Sequence, residues 1–153
     1  MHRNTAHTVS RTAAGFSLVE LVLVMLIIGI VAAITMPRFA QAGARQRLAV
    51  AAERVIADIA LVRSRANHAS DTATLTFNTS DSIYKANAIG GKAFAVELDE
   101  SPYEVTLQVA GFTDQSYVQF NGYGIAQSTG TITLSNTAGS VEIVITEHGE
   151  TRQ

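Results

Sequence analysis

Apolar residues fill one stretch of the chain and then fall into two different periods. From Phe16 to Met36 the sequence is FSLVELVLVMLIIGIVAAITM, in which Glu20 is the one charge. About 20 apolar residues make a helix long enough to cross a hydrocarbon core. Beyond it, Leu48, Ala52, Val55, Ile59, Val62 and Ala66 recur at alternating spacings of four and three. That spacing places them on one stripe of an α-helix. Arg47, Arg54, Asp58 and Arg65 fall off the stripe. The segment is rich in Ala, Leu and Arg, which favour helix. Pro37 lacks an N–H and crowds the turn before it, so a kink is expected there, and Gly43 weakens the helix further. The pattern predicts one long helix from about Ser17 to Asn67.

After His68 the period becomes two. Segments 74–77, 94–98, 103–109, 117–120, 131–134 and 141–145 all alternate apolar with polar residues. Each is short, rich in β-branched or aromatic residues, and bounded by Gly, Asn, Asp or Ser, as strands are. Gly90-Gly91, Asn121-Gly122 and Ala138-Gly139 mark turns. One apolar face per strand can pack on the 48–66 stripe. The predicted fold class is α+β: a long N-terminal helix, half membrane and half amphipathic, packed against an antiparallel β-sheet head.

Charge divides the chain in the same places. Residues 1–15 are polar and carry Arg3 and Arg11 with no acid. Residues 16–70 carry six arginines against Glu20, Glu53 and Asp58. Residues 71–153 carry Lys85, Lys92 and Arg152 against ten acids. Four segments are expected: a leader over 1–15, a transmembrane and assembly helix over 16–36, an amphipathic spine over 37–69, and a β-rich head over 70–153. The acidic head argues against a broad nucleic-acid-binding face, which needs clustered Lys and Arg.

The absence of cysteine excludes disulfides, thiolate metal sites and a cysteine nucleophile. His2, His7, His68 and His148 stand too far apart in sequence for metal-ligand spacing. No Ser/His/Asp grouping, phosphate loop or carboxylate pair is legible. Neither a catalytic residue nor a cofactor or metal is expected.

Glu20 is the residue that most needs an explanation. It lies one helical turn inside the apolar run, where an ionised carboxylate costs about 2.5–3.5 kcal/mol on insertion scales. A cut after Gly15 would create an α-amine on Phe16, four residues from Glu20. Cleavage would thus supply the cation that the carboxylate lacks. A secretory signal peptide or an uncut signal anchor are the alternatives. The first would have a shorter apolar core and a small-residue cleavage site, of which Ala32-Ala33 is a poor version; the second leaves Glu20 unexplained.

GFSLVELVLVMLIIGIVAAITMPRF resembles the N-terminal signature of the type IV pilin superfamily. Gly15, Phe16, Glu20 and Pro37 match that family's positions one by one. The resemblance implies that a prepilin peptidase cuts between Gly15 and Phe16 and methylates the new Phe16 amine. It implies that Glu20 pairs with the Phe16 amine of a neighbouring pilin or pseudopilin during filament assembly on an inner-membrane platform. It also places the chain in the bacterial inner membrane as a single-pass protein, N-terminus in the cytoplasm and head in the periplasm. Charge counting alone points the other way, because Arg38, Arg45 and Arg47 follow the apolar run closely and only Arg3 and Arg11 precede it.

The C-terminal half, from Val118-Gln119-Phe120-Asn121-Gly122-Tyr123-Gly124 through Gly130-Thr131-Ile132-Thr133-Leu134 to Val141-Glu142-Ile143-Val144-Ile145 and Gly149, resembles the GspH/FimT-type minor pseudopilins. Three generic strands joined by glycine turns would read the same way. Glu142, Glu147 and Glu150 are scattered rather than gathered in an Asp/Asn-rich calcium loop. With the missing cysteine pair, this favours a minor over a major subunit. The resemblance implies a structural role in a type II secretion pseudopilus, at its initiation or tip. The alternative is a minor subunit of a type IV pilus, acting in pilus assembly or DNA uptake.

Overall fold

A computed structural model describes residues 15–88, 91–112 and 116–152, with the Pro37 side chain excepted. Among the described residues one helix, α1, runs from Leu18 to Ala69, and eight strands follow. The chain divides into two units, Met1–Arg38 and Phe39–Gln153, described in turn.

In the first unit the helix begins at Leu18, and nearly every side chain along the apolar run is exposed. No described part of the chain covers it. Thr35 is satisfied locally, its hydroxyl donating to Val31 O at 2.6 Å, so this polar group makes no demand on solvent. By length and composition the segment can cross a membrane. The helix assignment continues through Pro37, whose side chain lies outside the described residues.

In the second unit the six stripe residues Leu48, Ala52, Val55, Ile59, Val62 and Ala66 are all buried in one core with the strands. Asp58 does not stay off the stripe as the spacing suggests: it is buried. Its carboxylate accepts the Arg54 Nε–H at 2.9 Å and the Tyr84 hydroxyl at 2.7 Å. These two donors make burial tolerable. Burial pushes the Tyr84 phenol well above its usual range, and the neighbouring Asp58 carboxylate pushes it further. The Arg54 guanidinium is held above its ordinary value by the hydrogen bond to Asp58.

The helix ends in a Schellman turn. Ser70 is left-handed at φ 51°, Asp71 N–H donates to Ala66 O at 3.2 Å, and Ser70 N–H to Asn67 O at 3.2 Å. The strands are β1 (Ala73–Asn78), β2 (Ile83–Ala86), β3 (Phe94–Glu97), β4 (Thr106–Ala110), β5 (Tyr117–Phe120), β6 (Gly130–Asn136), β7 (Gly139–Ile145) and β8 (Thr151–Arg152). They form two antiparallel four-stranded sheets rather than one, ordered β3-β2-β1-β5 and β4-β6-β7-β8. Inward residues alternate along them: Ala73, Leu75 and Phe77 on β1, Ile132 and Leu134 on β6, Ile143 and Ile145 on β7.

Ser82 joins the two sheets. Its carbonyl accepts the Leu98 N–H at 3.0 Å, and its hydroxyl accepts the Leu107 N–H of β4 at 3.1 Å. The predicted 103–109 strand starts only at Thr106. Tyr103 and Glu104 are drawn into a turn instead, both donating N–H to Glu100 O at 3.0 Å. The Ala138-Gly139 turn closes the β6–β7 hairpin, where Asn136 pairs with Gly139. Asn136 Nδ2 then donates to Ala44 O at 2.8 Å, pinning that hairpin to α1. Gly90 of the Gly90-Gly91 turn lies outside the described residues.

Candidate functional site

The N-terminal segment is built on a helix start. Leu21 N–H donates to Ser17 O at 3.1 Å, and α1 opens at Leu18. Ser17 is thus the N-cap and Glu20 lies in the first turn. Ser-x-x-Glu is the spacing of a capping box, and it sets the acid in the turn that carries the orphan N–H groups of the helix start. The partial positive charge there favours a carboxylate. The sequence marks Ser17 as the approximate start of the helix, and its spacing from Glu20 is legible there too. The helix start gives Glu20 a local role but no formal counter-charge, and among the described residues it has no ion pair.

Gly15 and Phe16 precede the helix and are exposed, Phe16 at 81%. A Cβ added at Gly15 would meet nothing within 4 Å, and the same holds at Gly29 inside the apolar run. Neither glycine is needed for packing within the described chain. At Gly29, where glycine costs about 1 kcal/mol in a helix interior, any benefit comes from outside it. Residues 1–14 lie outside the described residues, so the leader itself has no structural account. Gly15, Phe16 and Glu20 fall together within one turn of the helix start, while Pro37 lies further along α1.

The basic residues of the spine are mostly engaged within the head. Arg47 pairs with Glu104 at 3.2 Å and Arg54 with Asp58 at 2.9 Å. Arg65 donates to Lys92 O at 2.8 Å and lies over the Phe94 ring at 5.5 Å. Arg47 and Arg65 thus fix loop and strand to the helix, and Arg54 pairs within it, rather than the three forming a cationic strip.

The comparisons with known proteins fall on the same two regions. Residues 10–36 match the prokaryotic N-terminal methylation motif. Residues 51–149 match the family of the type II transport protein GspH. No curated protein matches the chain. Among solved structures, the type IV minor pilin FimU of Pseudomonas aeruginosa (strain PAO1) is similar in fold. Its TM-score is 0.52 at 16% identity, over 71% of this chain and 88% of that one.

Proposed function

The chain belongs to the family of the type II transport protein GspH, and on that premise we propose that it is a minor pseudopilin of a type II secretion system. In this reading a prepilin peptidase removes residues 1–15 and methylates the Phe16 amine. The helix over 16–36 holds the subunit in the bacterial inner membrane, with the spine over 37–69 and the head over 70–153 in the periplasm. The subunit then enters a short pseudopilus, acting at its initiation or tip as a structural part rather than an enzyme. Glu20 supplies the carboxylate that meets a neighbour's Phe16 amine.

The observation that carries the reading is the GspH match across the head, joined to a methylation motif at the N-terminus. A second reading, a minor subunit of a type IV pilus, draws on the FimU likeness, which is one of fold. DNA capture is the weaker part of that alternative, because residues 71–153 carry ten acids against three bases.

The test is deletion of the gene in its own host, with complementation. Secretion of a folded cargo enzyme across the outer membrane should stop and return with the wild-type chain. Unchanged secretion, with fewer pili or lost DNA uptake, would assign the chain to a pilus instead.

A further inference from the structure

Arg63 stands two turns before the end of α1, half-buried. Its Nε–H donates to Gly124 O at 3.0 Å and its Nη1–H to Gly149 O at 3.5 Å. The main chain closes over the guanidinium at two left-handed glycines, φ 74° at Gly124 and 70° at Gly149. A Cβ at Gly124 would lie 3.3 Å from Arg63 Cγ. One at Gly149 would lie 2.8 Å from Gly124 O and 3.3 Å from Arg63 Nε. Main-chain carbonyls thus engage Nε and Nη1 of the guanidinium. Its Nη2 donates to no protein atom among the described residues.

Arg47 and Arg54 each have a carboxylate partner. Arg63 has none within 4.0 Å among the described residues. Glu150 shares a neighbouring groove with Arg63 but lies beyond that distance. Among the described residues this half-buried guanidinium keeps donor capacity for a further acceptor.

Beside it is a groove of about 320 Å³ to which Ser64, Asn67, His68 and Tyr123 also contribute. Each of these side chains carries an N–H or O–H donor. Tyr123 is 82% exposed, yet its loop is firmly tied. Asn121 Oδ1 accepts the N–H of Tyr123 and of Ile125 at 3.0 Å each, and Gly124 N–H donates to Asn121 O at 2.8 Å. A large aromatic offered to water on a fixed loop, next to an arginine, has the make-up of an interface anchor.

We propose that this groove docks a carboxylate side chain from the head of a neighbouring filament subunit, with Arg63 as its charge partner and Tyr123 as the aromatic anchor. The proposal rests on the filament-subunit reading above. Charge complementarity selects the contacting group: a guanidinium in a groove lined by hydrogen-bond donors fits a carboxylate. Ten acids against three bases over residues 71–153 repel a polyanion such as DNA, while a single carboxylate set against Arg63 is matched.

The experiment uses the full-length chain in membranes, expressed with the other subunits of its system. Tyr123 is replaced by photoreactive benzoylphenylalanine, and crosslinked peptides are mapped by mass spectrometry. The expected product joins position 123 to an Asp- or Glu-bearing segment of another filament subunit. Asn67→Glu, a like charge at an exposed groove position, should lower the yield about tenfold or more, the worth of one charge-assisted hydrogen bond. Asn67→Lys at the same site should leave it unchanged or raised. Changing the partner's crosslinked acid to Lys should restore the yield to Asn67→Glu. Equal losses from Asn67→Glu and Asn67→Lys, a partner segment without acids, a crosslink to DNA alone, or none at all would overturn the proposal. A secretion defect on gene deletion with no such crosslink would sink the docking site alone. The mapped crosslink with secretion intact would sink the secretion reading alone.

Discussion

The carboxylate of Asp58 on α1 accepts the hydroxyl of Tyr84 on β2 at 2.7 Å, a buried hydrogen bond between helix and sheet. Arg54 Nε fills another of its acceptor positions at 2.9 Å. Asp58→Ala leaves a buried phenol without its acceptor, which costs about 1–3 kcal/mol. Tyr84→Phe should cost less, because Asp58 keeps Arg54. The Tyr84 phenol is held above its usual pKa of about 10 by burial first and Asp58 second. Its contribution is therefore complete below about pH 10. Above that, the unfolded state loses a proton that the folded state retains, and stability falls by up to about 1.4 kcal/mol per pH unit. Denaturant unfolding at pH 8 and at pH 11 should show a steeper alkaline loss in the wild type than in Tyr84→Phe. Equal losses would remove Tyr84 as the cause.

Gly122 faces the end of α1. A Cβ there would stand 2.7 Å from Ser70 C and 3.0 Å from Ser70 Cα and O, all main-chain atoms that cannot swing aside. Gly122→Ala should destabilise the head by about 1–3 kcal/mol, the usual range for overpacking. Gly139→Ala meets no atoms within 4 Å and suffers only the strain of φ 144°. Thermal melts of the two variants should rank them in that order.

How much of this was legible follows from the periods. The stripe from Leu48 to Ala66 is visible because four-and-three spacing persists over five turns, and every member is buried. Strand β2 is not visible. Ile83-Tyr84-Lys85-Ala86 is four residues long, and Lys and Ala are weak strand formers. It is a strand because β1 pairs along its whole length. Strand β8, at two residues, carries no period at all. The division into two sheets carries no local signal, and the contacts by which Ser82 joins them lie 25 and 16 residues away in sequence. Asp58 looked solvent-facing because its partner Tyr84 belongs to the unread strand. At the N-terminus, Gly15, Phe16 and Glu20 are legible as chemistry. The Ser17 cap beside them is a local spacing that a reading focused on charge passes over.

The head should fold without the apolar helix. A chain starting near residue 41 keeps Ala44 and the whole buried stripe. It should be soluble and unfold in one cooperative transition. A chain starting after Val62 loses most of the helix from the core and exposes the inner faces of both sheets, so it should aggregate or bind hydrophobic dyes. Equal cooperativity in the two would contradict the helix–sheet core.

Glu20→Leu separates a pilin-like subunit from a plain membrane anchor. The change makes the apolar run more apolar, so insertion should be normal or improved. Cleavage after Gly15 should persist. Assembly should weaken, because a neighbour's Phe16 amine loses its carboxylate, and breaking a buried pair costs about 3–5 kcal/mol. Glu20→Asp, with the charge kept and the reach shortened, should fall between. Co-purification with the other filament subunits is the readout. Undiminished co-purification and cargo secretion by Glu20→Leu would show that Glu20 is not an assembly contact.

The central claim is that this chain is made as a precursor and processed for filament assembly, and the intact mass of the membrane-extracted protein tests it most directly. Co-expressed with an active prepilin peptidase, the chain should lose residues 1–15 and carry one added methyl group on the new Phe16 amine. Gly15→Ala should impair the cut more than any change at Thr12 or Ala13. A product that still begins at Met1 in the presence of the active peptidase would contradict the account.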